Sequence, residues 1–180
     1  MKIDFHVAIS EKAIHWQVFL DNLYRRGLES KQLKLIVTDS AGGLLDAART
    51  VYGTVPLQVC WVHHQRNLVK YLKKRSHRKA VCVDAIAMFM ADNHRQALKL
   101  IQTFQYRWHP KEPRAARIFP KDIDLSLTFY SQPKDKWKQL ASNNLIERQM
   151  REFRRRIKLI DLFRDEKKVV KGLYLLNLNN

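Results

Sequence analysis

The sequence has few cysteines, few acidic residues and no long apolar run. Its two cysteines, Cys60 and Cys82, are too few for a disulfide framework and indicate a reducing intracellular compartment. No apolar run approaches the roughly 18 residues that a membrane-spanning helix needs. The first residues, MKIDFHVAISEK, also lack the unbroken apolar stretch of a signal peptide. We therefore expect a cytoplasmic protein with no membrane partner.

Acidic residues are outnumbered by basic ones. The chain has 34 Lys and Arg against 17 Asp and Glu, a formal net charge of +17 and a pI near 10.1. This balance predicts a polyanionic partner, with nucleic acid first and an anionic membrane surface as the alternative. Residues 61–79 hold seven Lys or Arg and no acid, and residues 148–158 hold six against Glu152. Because a merely soluble surface would mix both signs, these segments favour a nucleic-acid surface.

Length and composition predict one domain. The 180 residues, of which 46% are hydrophobic, suffice for one well-buried core and are few for two. Residues 2–9 alternate apolar and polar side chains, as in a half-buried strand near a sheet edge. Residues 11–28 carry apolar side chains at roughly helical spacing, and Gly27 is a plausible stop.

The next segments predict an α/β sheet. Residues 33–37 form a nearly continuous apolar run, as expected of a strand covered on both faces, and the run ends at Asp39. A short helical pattern over 44–52 follows, and then a second apolar strand over 55–62 with Pro56 at its edge. This strand-helix-strand order favours an α/β fold.

Helical patterns dominate the remainder of the chain. Residues 63–136 are mainly helical, with prolines that break residues 109–136 into loops and short helices. A further helix is predicted over 142–158, with Ser142 as its N-cap. An apolar stripe on that helix faces a core and consists of Ile146, Met150, Phe153 and Ile157.

Two carboxylates occupy positions that suit chemistry. Asp39 lies where a buried strand meets a turn, at the carboxyl end of a sheet, although an Asp there also forms turns and caps helices. Glu147 lies beside the apolar stripe and upstream of Arg151, which alone indicates a solvated helix with a weak ion pair. Together, Asp39 and Glu147 can hold Mg²⁺, which prefers oxygen ligands. Two such ions, about 3.5 to 4 Å apart, activate an attacking oxygen and stabilise a leaving one in phosphodiester chemistry.

A CxxH spacing lies at the end of the second predicted strand. Cys60 and His63 have the spacing of a zinc-ligand pair, but a structural zinc site needs four ligands. The remaining cysteine, Cys82, lies inside an apolar helical pattern, so we expect no zinc. His63 is a candidate for phosphate contact, and Cys60 for a small buried residue.

Two blocks of the sequence resemble one family. VTDSAGGLLDAARTVYGTVPLQVCWVHHQRNL resembles the block of Mutator-type transposases of bacterial insertion sequences that runs from a catalytic Asp to a Gln-x-Cys-x-x-His-x-x-Arg-Asn signature. SNNLIERQMREFRRRIKLIDLF is similar to the same family's Asn-x-x-Glu-Arg block with its Arg-rich run. Both blocks occur in order, separated by a helical insertion.

The resemblance implies a ribonuclease-H-like core whose Asp-Asp-Glu triad binds Mg²⁺ or Mn²⁺, cuts at transposon ends and joins the 3′ hydroxyl to target DNA. Asp39 would be the second catalytic carboxylate and Glu147 the third, and both would bind the metal. Cys60 and His63 would fill the CxxH element. The resemblance also implies a bacterial, nucleoid-associated protein with residues along the DNA path: Arg66, Asn67, Lys70, Asn144, Arg148, Arg151, Arg154, Arg155, Arg156 and Lys158.

The family's fold places three antiparallel strands before the helix that corresponds to residues 11–28, whereas one precedes it here. Asp4 would lie on the third strand, so it is not assigned as the first catalytic Asp. We expect an incomplete core lacking the first two strands, in which residues 1–62 and 137–180 are core elements and 63–136 a helical insertion. We also expect weak metal binding, little cleavage by this chain alone, and a homodimer or a complementing N-terminal fragment at the unpaired strand edge.

Three functions are compatible with the sequence. The first is a transposase acting on DNA phosphodiesters, and the second is a non-catalytic nucleic-acid-binding protein whose carboxylates are incidental. The third is a ribosomal or RNA-packaging protein, which shares the charge but has no use for two carboxylates at the ends of elements. Glu147→Gln distinguishes the first two, because it abolishes chemistry and spares binding only in an enzyme.

Overall fold

The computed structural model describes residues 10, 12–39, 41–142, 144, 147, 148, 151 and 155. Several predicted features therefore lie outside the described residues. They are the strand over 2–9, the apolar stripe of Ile146, Met150, Phe153 and Ile157, and the basic residues Arg154, Arg156 and Lys158.

A parallel strand-helix-strand unit follows the first helix, as predicted. Helix α1 spans Ala13–Arg25, strand β1 Ile36–Thr38, helix α2 Gly42–Tyr52 and strand β2 Leu57–Val59. The two strands pair in parallel, with Ile36 opposite Leu57 and Thr38 opposite Val59. In a parallel pair, the residues after both strands lie at one sheet edge. Asp39 and Cys60 are therefore neighbours at the carboxyl edge.

Helix α1 ends where the sequence predicts. Gly27 has φ of 100°, a left-handed conformation that glycine adopts without steric cost. The backbone N–H of Gly27 donates to the Tyr24 carbonyl at 3.0 Å, and that of Leu28 donates to Leu23 at 3.0 Å. Leu23 is the buried residue of this helix, which packs against α2.

Strand β1 is less buried than its apolar sequence predicts. Ile36 and Val37 are only partly buried, and Thr38 is buried. Within the ranges that the structure describes, β1 pairs only with β2. The described residues leave Ile36 and Val37 partly exposed, so they cover the faces of β1 incompletely.

Strand β2 is shorter than the predicted strand over 55–62, because the next helix begins at Trp61. The Trp61 N–H donates to the Ala141 carbonyl at 3.1 Å, and the Trp61 ring stacks on Phe89 at 5.3 Å. All three residues of β2 are buried. Gln58 among them is satisfied there, since its amide donates to Ser126 O at 2.9 Å and its oxygen accepts from Phe129 N at 2.7 Å.

The remaining described chain is helical, which confirms the mainly helical interpretation of residues 63–136. The helices are α3 Trp61–Lys70, α4 Arg78–Phe89, α5 His94–Trp108, α6 Pro113–Ile118, α7 Asp124–Leu127 and α8 Trp137–Leu140. Asn93 caps α5, because its side chain accepts from the Gln96 N–H at 2.9 Å. No helix in the described ranges is long and apolar enough to cross a membrane.

The main hydrophobic core lies among these helices. Helices α4 and α5 contribute the buried residues Val81, Ala85, Met88, Ala97, Ile101 and Phe104. The same core continues from Leu68 on α3 to Ala141 after α8. Because β2 is bonded to this helical region through Gln58, the sheet and the helices are packed together. The division into core elements and an insertion stays a prediction.

Candidate carboxylate site

Asp39 directly follows β1, as the sequence predicts. Its Oδ1 accepts a hydrogen bond from the Ala41 N–H at 3.1 Å, which is the geometry of an Asx turn. Ala41 itself is the N-cap of α2, and no side chain caps that helix. Asp39 therefore shapes the turn and does not cap the helix. The side chain is part-buried at the carboxyl edge of the sheet.

Glu147 contacts two basic side chains of α3. Its Oε1 lies 3.3 Å from His63 Nε2 and 3.5 Å from Arg66 Nη1, and its side chain is 25% exposed. The sequence suggests Arg151, one helical turn away, as a partner, whereas His63 and Arg66 lie on a helix more than 80 positions earlier. His63 and Arg66 thus connect the two basic segments that the sequence separates.

The helix that contacts Glu147 begins next to Asp39, at the carboxyl edge of the sheet. The Cys60 N–H donates to the Thr38 carbonyl at 2.7 Å, so the start of α3 lies next to Asp39 in the register. His63, in the first turn of α3, then brings Glu147 to this region. Among the residues that the structure describes, no group of three or more His, Cys, Asp or Glu side chains is arranged to hold a metal.

The two residues of the CxxH element have different surroundings. Cys60 is fully buried after β2, as the sequence allows for a small apolar residue. His63 points Nε2 at Glu147, while its buried Nδ1 has no hydrogen-bond partner within the described part of the chain. The arrangement links His63 to the carboxylate and leaves the expected absence of zinc as a prediction.

Most of the predicted DNA-path residues that the structure describes are exposed. Arg66, Lys70, Asn144, Arg148, Arg151 and Arg155 are exposed, and Asn67 is part-buried. Lys70 Nζ donates to Asn67 Oδ1 at 2.9 Å. The surroundings of Glu147 are thus rich in cations that phosphates attract.

Sequence reasoning overlooked His64, which faces the opposite way from His63 on α3. Its Nε2 donates to the Phe119 carbonyl at 2.7 Å, so Nδ1 is the acceptor for Ser126 Oγ at 3.3 Å. Burial lowers the pKa of His64, although the bond to Phe119 opposes that shift. His64 lines a groove of about 320 Å³ between α2 and α3, which also includes Asn67. Its neutral imidazole is a packing element.

Sequence reasoning also overlooked Glu112. This carboxylate is 1% exposed and accepts from Lys73 N at 2.6 Å, Lys74 N at 3.0 Å and His77 Nδ1 at 2.8 Å. Burial by itself raises the pKa of Glu112, but the bonds from Lys73, Lys74 and His77 outweigh it and hold the pKa below its ordinary value. The only sequence signal for Glu112 was its position as a single acid between Lys111 and Arg114. That signal does not indicate which groups the carboxylate binds.

Comparison with known proteins shows which family the sequence resembles. The sequence matches the profile described as transposase, Mutator family, over residues 3–180. The transposase for insertion sequence element IS406 of Burkholderia multivorans is 34% identical over 87% of this chain and 40% of the relative. The transposase for element IS905 of Lactococcus lactis is 30% identical over 97% of this chain and 44% of the relative.

A third relative agrees with these two. The transposase for element IST2 of Acidithiobacillus ferrooxidans is 32% identical over 77% of this chain and 46% of the relative. The chain thus spans less than half the length of these curated relatives. Since the profile covers almost every residue, the chain belongs to the Mutator family of transposases.

Proposed function

We propose that this chain forms part of a DNA transposase that cuts and joins DNA phosphodiesters at the ends of an insertion sequence. Two observations carry the proposal: Asp39 directly follows β1 at the carboxyl edge of a parallel sheet, and Glu147 contacts His63 and Arg66 on α3, the helix that follows β2. In α/β proteins, such carboxyl edges are where sites are built. The parallel strand-helix-strand unit also supports a ribonuclease-H-like core.

The donor set at this edge fits a hard divalent cation. Asp39 and Glu147 offer carboxylate oxygens, which Mg²⁺ and Mn²⁺ prefer. The Glu147 contacts of 3.3 and 3.5 Å are longer than tight charge-assisted bonds, so its oxygens remain exchangeable for a ligand. When bound, the cation supplies charge stabilisation at the phosphate and activation of the attacking oxygen.

The residues around the carboxylates have separate tasks in this proposal. His63 and Arg66 orient Glu147, because both touch its Oε1. Exposed Arg148, Arg151 and Arg155 attract the phosphodiester backbone and set its position. Such a protein acts on DNA in the bacterial cytoplasm, at the nucleoid.

We expect the isolated chain to bind DNA and to cleave it poorly. Asp39 lies at the carboxyl edge of the sheet and Glu147 contacts α3, and within the described ranges no cluster of three possible ligands is present. A third carboxylate, or the residues of a partner chain or second copy, would strengthen metal binding at this edge.

Metal binding tests the proposal directly. In a Mn²⁺ titration of the full chain with duplex DNA, followed by electron paramagnetic resonance, Asp39→Asn and Glu147→Gln should each weaken binding about tenfold or more. Asp135→Asn is the matched control, because Asp135 is exposed and lies elsewhere. If the wild-type chain binds no more Mn²⁺ than a variant carrying both substitutions, the carboxylates hold no metal and the proposal fails.

A non-catalytic nucleic-acid-binding protein is the second candidate. It is favoured by the contacts that both acids already make, since Asp39 forms a turn and Glu147 pairs with α3. Duplex nicking with Mg²⁺ separates the two. Glu147→Gln should abolish any nicking and spare DNA binding in an enzyme, whereas a binding protein shows no nicking before or after the change.

A further inference from the structure

A continuous set of cations extends away from the Glu147 site. It begins at Arg66, which touches Glu147, and runs along α3 into the first turn of α4. We call this set the basic ledge, and its seven members are all exposed: Arg66, Lys70, Lys73, Lys74, Arg75, Arg78 and Lys79. No acid occurs between residues 61 and 79. The segment that carries the ledge therefore contributes no negative charge of its own.

The middle of the ledge lies on a segment that is neither α3 nor α4. Lys73 and Lys74 follow the end of α3 at Lys70, and a short 3₁₀ turn over Arg75–His77 leads into α4. Tyr71 and Leu72 fix the start of this segment, because both pack against the helical core. Residues 73–77 have no apolar side chain, so their conformation must come from contacts with another part of the molecule.

The buried carboxylate of Glu112 provides those contacts. Its two oxygens accept from the backbone N–H groups of Lys73 and Lys74, and from the ring of His77. Glu112 is fixed in turn, because its own N–H donates to the Trp108 carbonyl at 2.7 Å and its carbonyl accepts from Ala116 N at 2.9 Å. The loop is thus bonded by its backbone to the junction of α5 and α6.

This geometry separates the acid from the cations around it. Glu112 is 1% exposed and binds main-chain donors, while the side chains of Lys73 and Lys74 are exposed. A buried carboxylate is costly unless its hydrogen bonds are satisfied, and here three donors satisfy it. The arrangement orders the loop and keeps its positive charges available to a partner.

We propose that the basic ledge binds the phosphate backbone of duplex DNA and that Glu112 is the positioning residue that shapes it. This rests on the proposed function, since a transposase supplies the DNA. An ordered loop loses less conformational entropy when it binds, so Glu112 strengthens DNA binding despite its negative charge. Contacts of this kind fix register and carry no sequence specificity.

For Glu112→Gln, the positioning role predicts a change in DNA affinity opposite to the change that net charge alone predicts. Glu112→Gln raises the net charge by one unit, yet it should weaken duplex binding several-fold, because the amide presents a donor where the carboxylate accepted. Asp92→Asn makes the same charge change at an exposed acid outside the ledge, and it should leave binding equal or slightly tighter. Fluorescence anisotropy of the full chain with a labelled duplex measures both.

The exposed side chains of the ledge provide a second, independent test. The double variant Lys73→Ala/Lys74→Ala should bind about tenfold more weakly and flatten the log-log salt slope by about two, because two phosphate contacts are lost. Both lysines are exposed, so thermal unfolding should be unchanged. If Glu112→Gln fails to fold, the double lysine variant still tests whether the basic ledge binds DNA.

The possible results are distinguishable. If the wild-type chain prefers RNA or anionic vesicles to duplex DNA, the proposed function fails together with the ledge assignment. If wild type binds duplex DNA and the double lysine variant binds it as tightly with the same salt slope, the ledge assignment alone fails. A folded Glu112→Gln variant that matches Asp92→Asn overturns the positioning role of Glu112.

Discussion

Two glutamates of this chain each meet a histidine, and they do so in opposite ways. Glu147 lies 3.3 Å from His63 and is 25% exposed, whereas Glu112 lies 2.8 Å from His77 and is 1% exposed. The two histidines have the same exposure, 26%. The difference therefore lies in the acids and in what else each one binds.

Glu112 accepts three short hydrogen bonds, whereas the contacts of Glu147 with His63 and Arg66 are longer. Glu112 accepts two backbone N–H bonds in addition to that of His77. Glu147 has Arg66 at 3.5 Å, and Arg66 is itself more than half exposed. Buried acids with satisfied bonds hold a structure together, while partly exposed acids with long contacts can exchange them for a ligand. This contrast indicates a structural task for Glu112 and supports the proposed metal-binding task of Glu147.

Truncation of each acid should give the largest contrast. Glu112→Ala leaves three part-buried donors without their acceptor and should lower the free energy of unfolding by about 3–5 kcal/mol. Glu147→Ala removes a partly exposed pair and should cost about 1 kcal/mol or less. Urea unfolding followed by circular dichroism measures both. Equal destabilisation by the two changes would remove the distinction between the acids.

Acid should weaken the Glu112 contacts through protonation of its carboxyl group. The folded pKa of Glu112 lies below its ordinary value of 4.5, because the bonds from Lys73, Lys74 and His77 outweigh burial. Its stabilising contribution is therefore fully present above the unfolded pKa and is lost as pH falls through the folded pKa. The loss is smaller than that of truncation, since a protonated carboxyl still accepts hydrogen bonds.

Urea unfolding at a series of pH values below neutrality tests this expectation. The stability of wild type should fall more steeply below about pH 4.5 than that of Glu112→Gln, which has no carboxyl to titrate. His64 also loses stability toward acid, since burial lowers its pKa, but that loss begins nearer its ordinary value of 6.5. Parallel curves for wild type and Glu112→Gln would contradict the expectation.

The contrast also shows what a sequence can and cannot reveal. The position of Asp39 follows from a local pattern, an apolar run that ends at a turn, and β1 does end at Thr38. The neighbours of Glu147 were not predictable in this way, because His63 and Arg66 come from a distant helix. Glu112 was missed for the same reason. Its donors lie more than 30 positions earlier, and pairing over that separation depends on how α5 packs.

Local patterns also misplaced one boundary that matters for the site. The apolar run over 55–62 continues through Trp61, yet α3 begins there because Trp61 bonds Ala141 and stacks on Phe89. These tertiary contacts override the strand pattern. The early start of α3 is what places His63 in a first helical turn beside Glu147.

Substitution of the two histidines should change stability least, but it distinguishes the roles of the two glutamates most clearly. His77→Ala removes a donor to a buried carboxylate and should cost about 1.5–3 kcal/mol. His63→Ala removes a 3.3 Å contact and a buried Nδ1 that has no partner within the described ranges, so the cost should stay below about 1 kcal/mol. In the Mn²⁺ titration the order should reverse, because His63 orients a proposed metal ligand and His77 does not. Equal effects of both substitutions in unfolding and in metal binding would mean that the two glutamates serve one structural purpose.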